Sequence, residues 1–219
     1  MKKIIFVSLL VLQLPFLIKA QSATDTAVRR QSLIFDHFIN GKVLLKSGGI
    51  SEAPLNYLSV DQSILFERDG KVFTLTDLAT IDTIYIAARK FVPINNTVYE
   101  VLTRTGKVDL LLTYTNRQKP MVATTDHNGT SKHDINEVSN TVSDVYITRQ
   151  YKGDFSVEIS KHYWLKNYNK LHKANVANDF LKVFKESTHN AIGNYLEQHN
   201  VDFKNQKDLV AFTEYCNQL

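Results

Sequence analysis

The stretch Ala123–Ile135, ATTDHNGTSKHDI, holds the densest group of side chains that could do chemistry. Two aspartates and two histidines lie within it, namely Asp126, His127, His133 and Asp134. Carboxylates and imidazoles are common zinc ligands. The Asn-Gly pair at 128–129 is a turn signal, so a hairpin there would let the two Asp-His pairs face each other. These four residues are therefore candidate ligands of a metal site.

The surroundings of these four residues favour a solvated loop over a metal site. Between Thr124 and Asp134 there is no apolar residue that could exclude water, and no obvious partner to orient the ligands. The stretch also lacks the alternating Asp/Asn ladder closed by Glu that a calcium loop requires. We interpret it as a polar loop and predict no cofactor.

Other catalytic patterns give no mechanism. The chain has no Gly-x-Ser-x-Gly elbow and no glycine loop that opens a helix to cradle phosphate. Paired carboxylates for glycoside cleavage would have to come from the strand-end acids Glu67, Asp69, Glu100 and Asp109, which are typical surface residues. We name no catalytic residue, and a hydrolase that uses sheet carboxylates stays the alternative to a non-catalytic role.

Residues 1–20 have the layout of a secretory signal peptide. Lys2 and Lys3 precede an apolar run from Ile4 to Ile18, and Ala20 is a small residue before the expected cut. A membrane anchor is the competing interpretation, but the run is shorter than the roughly 20 residues that a spanning helix needs. We predict export to the periplasm, to the outer membrane or into the medium, with no transmembrane span after cleavage.

Charge and cysteine content exclude two further classes. The formal net charge is +4, from 26 basic and 22 acidic residues, but the three lysines of the signal peptide account for most of it. Nucleic-acid binding requires a concentrated basic face, and none is present. Cys216 is the only cysteine, so no intramolecular disulfide forms, and its helical context predicts a small core residue.

Hydrophobic periodicity predicts a β-rich domain over residues 41–176. The segment KVDLLLTY alternates with period two, as strands do, and similar runs recur from Gly41 onward. Asp69-Gly70 and Asn95-Asn96 are tight-turn signals. No helical period separates the strands. We predict an antiparallel meander that forms either a sheet or a partly closed barrel.

From residue 177 to 219 the period becomes helical. Asn178 and Asn205 are the predicted N-caps of two or three short amphipathic helices. Because short helices are marginal alone, we expect them to pack on the sheet. With residues 21–40 as an N-terminal segment, the chain is predicted to be one α+β domain.

Aromatic side chains cluster in the late strands and define a candidate interaction surface: Tyr146, Tyr151, Tyr163, Trp164 and Tyr168. Amphipathic rings suit recognition surfaces. Buried sheet faces also collect aromatics, and that interpretation is the favoured one.

Two long segments resemble small exported Bacteroidetes proteins of unknown function. The first contains a Gly-x-Val strand at 41–43, Asn56-Tyr57 and the runs IDTIYI and YEVL, and the second is the tail from YWLKNYNKL to EYCNQL. This chain has Lys185 where such proteins tend to have proline. The resemblance implies a Gram-negative exported protein and supplies no site residues.

The sequence thus favours an envelope-associated binding or interaction module. Its expected partner is a protein or a glycan of the envelope, and we expect no nucleic acid.

Overall fold

The computed structural model describes residues 29–103, 106–120, 140–142, 146–150 and 155–219. Within these ranges twelve strands form one antiparallel sheet. The strands are β1 (Ile39–Leu45), β2 (Ile50–Leu58), β3 (Ser63–Arg68), β4 (Lys71–Thr74), β5 (Ile81–Ile86), β6 (Arg89–Ile94), β7 (Thr97–Val101), β8 (Val108–Pro120), β9 (Asn140–Val142), β10 (Tyr146–Gln150), β11 (Phe155–Asn167) and β12 (Lys170–Lys173). Three short helices follow: α1 (Ala177–Leu181), α2 (His189–His199) and α3 (Gln206–Gln218). The prediction of an antiparallel sheet with short C-terminal helices is confirmed.

The strand order departs from one continuous meander. Neighbouring strands run β4-β3-β2-β1-β5-β6-β7-β8-β11-β10-β9, with β12 beside the second half of β11. After β4 the chain returns through a short 3₁₀ turn, Leu78–Thr80, to place β5 beside β1. The described sheet is therefore three sequential runs of strands, β1–β4, β5–β8 and β9–β12, joined at β1–β5 and at β8–β11, and its ladder is open. Alternation within a strand does not report which strand lies beside it, so the sequence left this order undetermined.

The tight turns form as their residue types predict. Asp69 and Gly70 adopt φ values of 53° and 69° between the paired ends of β3 and β4. Asn95 and Asn96 adopt 48° and 64° between β6 and β7. Positive φ at both central residues is the type I′ geometry that matches the twist of a hairpin. These two predicted hairpins are confirmed.

One face of the sheet, here called the core face, buries alternate residues of nearly every long strand. Tyr57 and Phe91 are fully buried there, with ring centroids 5.7 Å apart. Other buried members of this face are Val43, Leu55, Ile64, Ile84, Ile86, Val98, Leu110, Leu112, Tyr114, Ile159 and Leu165. Their burial is the main favourable contribution to folding.

The helices close the end of the core face. Phe180 of α1 and Phe212 of α3 are fully buried with ring centroids 4.6 Å apart. Asn217 of α3 joins the helix to β8, since its amide donates to the Val108 carbonyl at 2.8 Å and accepts from the Val108 amide at 3.0 Å. Cys216 is buried in the same cluster. The packing of α3 on β8 covers apolar surface that a short helix alone could not hide.

The two predicted N-caps have different outcomes. Asn205 caps α3, because its side chain accepts from the backbone amides of Lys207 and Asp208. Asn178 lies inside α1 and makes no cap, so that prediction is wrong. The nearby carboxylate of Asp179 accepts instead from the Asn175 amide at 3.0 Å.

The segment before β1 is fixed to β2. The Ile34 amide donates to the Tyr57 carbonyl at 2.9 Å, and the Asn56 side chain donates to the carbonyls of Phe35 and His37. Asn56 is fully buried, so these bonds satisfy a polar group that would otherwise destabilise the fold.

Candidate functional site

The predicted metal candidates Asp126, His127, His133 and Asp134 lie outside the described residues, as does Tyr151. Tyr146 begins β10, where the backbone alone is described. In the part of the chain that the structure describes, no three His, Cys, Asp or Glu side chains come together as metal ligands would.

The described aromatic candidates do not share one surface. Tyr163 is buried on the core face, opposite Leu112 of β8. Trp164, the next residue, points to the other face, here called the outer face, where its indole N–H donates to the Thr113 hydroxyl at 2.9 Å. Tyr168 is 85% exposed in the hairpin between β11 and β12. The alternation of β11 separates Tyr163 from Trp164.

The four strand-end carboxylates are also separated. Glu100 is buried on the core face, whereas Asp109 lies on the outer face, 3.6 Å from the Lys166 ammonium. Glu67 is at the end of β3, and Asp69 is in the following turn. The structure does not bring Glu100 and Asp109 to one face, so they do not form a pair around a common substrate.

Glu100 belongs to a buried polar cluster on the core face. Arg89 binds its carboxylate at two points, with Arg89 Nε 2.6 Å from Glu100 Oε1 and Arg89 Nη2 bound to Oε2. The Tyr114 hydroxyl donates to Glu100 Oε2 at 2.7 Å, and it also contacts Arg89 Nη2. The guanidinium lies over the Phe35 ring, 4.8 Å from its centroid.

This cluster has a structural role. Burial raises the pKa of Tyr114 well above its usual value, with the Glu100 charge acting in the same direction, so the phenol stays protonated as a donor. Both carboxylate oxygens are engaged, and the rings of Phe35, Phe91 and Tyr114 lie against the guanidinium. The sequence indicated that Glu100 is buried, because the period-two pattern places it between Val98 and Leu102 on one apolar face.

The outer face carries a groove of about 400 Å³ over β5 to β8 and β11. Its floor includes Thr83, Val92, Val101 and Thr103. Three lysines and two aspartates line it, namely Lys46, Lys90, Lys166, Asp82 and Asp109. Sequence reasoning missed these lysines, since Lys46 follows β1, Lys90 lies in β6 and Lys166 lies in β11, and only the sheet register brings them together.

The charges of the groove are unevenly paired. Lys166 contacts Asp109 at 3.6 Å, and Asp82 accepts from the Thr83 hydroxyl at 2.8 Å. Among the described residues, Lys46 and Lys90 make no ion pair. The groove therefore combines two available cations with acceptor oxygens on a partly apolar floor.

An aromatic pair extends this surface beyond the groove. The strand registers place Val101, Leu111 and Trp164 in one row across β7, β8 and β11. Tyr99 packs edge-on against Trp164, with ring centroids 6.3 Å apart. Leu111, in the middle of this row, is fully buried. Half-buried Trp164 thus borders the groove.

No described helix has both the length and the apolar content of a bilayer-spanning segment. Comparison with known proteins gives no match to a family model, to a curated protein or to a solved structure. The resemblance to exported Bacteroidetes proteins therefore stays a prediction, and functional inference depends on the geometry of the groove.

Proposed function

We propose that the protein is an exported, non-catalytic binding module of the envelope, and that its outer-face groove binds an anionic glycan. The observation that carries the proposal is the convergence of Lys46, Lys90 and Lys166 on one groove. A periplasmic or outer-membrane location is part of this proposal.

The lysines set the charge of the ligand. Lys46 and Lys90 have no acidic partner among the described residues, so carboxylate or sulfate groups are the natural counter-charges. An ammonium on a flexible stem binds such groups as a point charge without demanding one fixed geometry. Repeating acidic groups along a polymer fit lysines that lie on different strands.

The remaining lining sets the polarity of the ligand. Asp82 and Asp109 can accept hydrogen bonds from sugar hydroxyls, and Val92 and Val101 give an apolar floor for the ring faces. The exposed part of Trp164 beside the groove adds an amphipathic ring of the kind that suits such ligands. A glycan with both hydroxyls and acidic groups satisfies all of these features.

A non-catalytic role is supported by the residue types in the groove. The described residues that line it include no serine, cysteine, histidine or tyrosine. The ionisable groups present are lysines and aspartates, and one aspartate is held by Lys166 and the other by Thr83. This arrangement supports recognition of a polar ligand without a nucleophile and its base.

The test uses polygalacturonic acid as the probe and neutral dextran as its control polymer, each titrated against the full chain by calorimetry. We expect the acidic polymer alone to bind, and its affinity to fall as salt rises, because exposed charge contacts are screened. Lys90→Gln and Lys166→Gln should each weaken binding about fivefold, the value of an exposed charge contact of up to about 1 kcal/mol.

Lys204→Gln is the matched control, since Lys204 is exposed in the loop before α3 and distant in sequence from the groove strands. It should bind as the unmodified chain does. Equal binding of dextran, or unchanged binding by both groove variants, would reject the proposal. Release of new reducing ends from the polymer that Asp109→Asn abolishes would favour the hydrolase alternative.

A further inference from the structure

A second surface, independent of the outer-face groove, lies at the free edge of the sheet. β4 is the terminal strand of the described ladder and pairs with β3 alone. All four of its residues are exposed, including Val72 at 54% and Phe73 at 44%. An exposed apolar edge strand is a template on which another strand can add.

The hydrogen-bond pattern shows which backbone groups the edge offers. The Leu75 amide donates to the Ile64 carbonyl at 2.8 Å, which makes this pair a hydrogen-bonded one in the β3–β4 ladder. Hydrogen-bonded and non-hydrogen-bonded residue pairs alternate along an antiparallel ladder. The backbone amides and carbonyls of Val72 and Thr74 therefore point away from β3. Within the described ranges, no further strand pairs with these outward donors and acceptors.

The edge has different chemistry on its two faces. A groove of about 500 Å³ borders the strand, lined by Leu33, Leu65, Val72 and Thr74 with Arg29 and Arg30 beside them, and Phe38 and Phe73 also contribute to its lining. On the other face Phe73 stacks on Phe66 with ring centroids 5.4 Å apart. An added strand would therefore place alternate side chains against arginines and against phenylalanines.

The arginines identify the complementary charge. Arg30 is exposed and makes no ion pair among the described residues, and Arg29 makes an exposed pair with Asp61 at 3.1 Å. Exposed pairs contribute little to stability, so an incoming carboxylate can compete for Arg29. No acidic residue lines this groove in the described part of the chain.

We propose that the β4 edge binds an extended peptide of a partner protein by strand addition, and that this peptide alternates acidic with apolar residues. Its acidic side chains contact Arg29 and Arg30, and its apolar side chains cover Phe73 and Phe66. Its backbone pairs with the outward groups of Val72 and Thr74. Main-chain pairing supplies affinity and the two faces supply specificity, as in other strand-addition complexes.

The test measures fluorescence anisotropy of a labelled, end-blocked peptide that alternates valine with glutamate, about seven residues long as befits one strand. The full chain should bind it at least tenfold more tightly than the matching valine–lysine peptide. The same valine–glutamate peptide, N-methylated at alternate amides so that it cannot pair with an edge, should lose binding without any change to the protein.

Protein variants give the second arm. Val72→Pro removes an outward amide at an edge position where proline is tolerated, and it should abolish binding. Val72→Thr keeps that amide and the strand preference, so it should bind as the unmodified chain does. Arg30→Gln should weaken binding about fivefold, whereas Lys204→Gln should have no effect.

Equal affinity for the two peptides, unchanged binding after N-methylation, or no binding at all would each overturn the proposal. A dimer in sedimentation that Val72→Pro dissociates would also overturn it, because a second copy would then occupy the edge. The glycan titration is independent of this result, since its variants lie on different strands.

Discussion

Arg89 and Glu100 form a two-point ion pair between the neighbouring strands β6 and β7, on the buried face of the sheet. Glu100 is almost fully enclosed, and Tyr114 donates a third hydrogen bond to its carboxylate. A buried ion pair stabilises a fold only when its charges are fully bonded, and here both oxygens have partners. The pair fixes β6, β7 and β8 relative to one another.

Removing one member of this pair should destabilise the protein strongly. Glu100→Gln leaves the Arg89 guanidinium without its counter-charge, and we expect the free energy of unfolding to fall by about 3 kcal/mol. Urea denaturation followed by far-ultraviolet circular dichroism measures the change. The double variant Arg89→Met with Glu100→Leu should recover most of the loss, because no unpaired buried charge remains.

The exposed pair of Lys42 and Glu52, whose atoms approach to 2.8 Å, is the control. Lys42→Met should leave the free energy of unfolding close to that of the unmodified chain, since solvent screens an exposed pair. Equal losses for Glu100→Gln and Lys42→Met would contradict the role of the buried cluster.

Cys216 should be unreactive in the folded protein. Burial raises the pKa of its thiol to about 12, and 2% of the residue is exposed, so neither thiolate nor access is available. Ellman's reagent should modify the thiol fully in guanidinium and only at the rate of unfolding in buffer. Rapid modification in buffer would show that α3 leaves the sheet readily.

His162 should make stability depend on pH. Partial burial lowers the pKa of its imidazole and the Lys173 charge lowers it further, so the folded chain binds this proton less readily than the unfolded chain does. Its contribution is therefore present above the unfolded pKa of about 6.5 and is lost as pH falls below that value toward the lower folded pKa.

Urea midpoints measured between neutral and mildly acidic pH test this dependence. As pH falls, the unmodified chain should lose stability relative to His162→Gln. Lys173→Met removes the repelling charge and should reduce that shift. Parallel pH profiles for the unmodified chain and His162→Gln would show that His162 does not contribute.

Two glycines should respond in opposite directions to alanine. A Cβ at Gly41 of β1 would lie 2.4 Å from the Tyr85 carbonyl oxygen of β5, so the two strands would have to separate. Gly41→Ala should lower the free energy of unfolding by about 1–3 kcal/mol. A Cβ at Gly193 of α2 meets no atom within 4 Å. Gly193→Ala should stabilise the protein by up to about 1 kcal/mol through helix propensity.

Thermal denaturation of both alanine variants compares the two effects in one experiment. A stabilised Gly41→Ala would show that β1 and β5 are not held as closely as the ladder indicates. A destabilised Gly193→Ala would place an unexpected neighbour against α2.

The sequence by itself determined the local structure. Period-two alternation predicted the strands, and Asp69-Gly70 and Asn95-Asn96 predicted the hairpins, because residue type controls access to positive φ. Asn205 predicted the start of α3, because its side chain can accept from the amides of the first turn. These features depend on residues a few positions apart.

Tertiary structure alone decided which distant residues meet. After β4 the chain returns to β1, so that β5 lies in the middle of the sheet. The residue patterns of β1 and β5 do not encode that these two strands pair. By residue type Glu100 is a typical surface acid, and the contacts with Arg89 and Tyr114 make it a buried one. Lys90 and Lys166 share a groove only through the register of four strands. Periodicity reports the two faces of a strand, whereas neighbours across a sheet follow from the packing of the whole core.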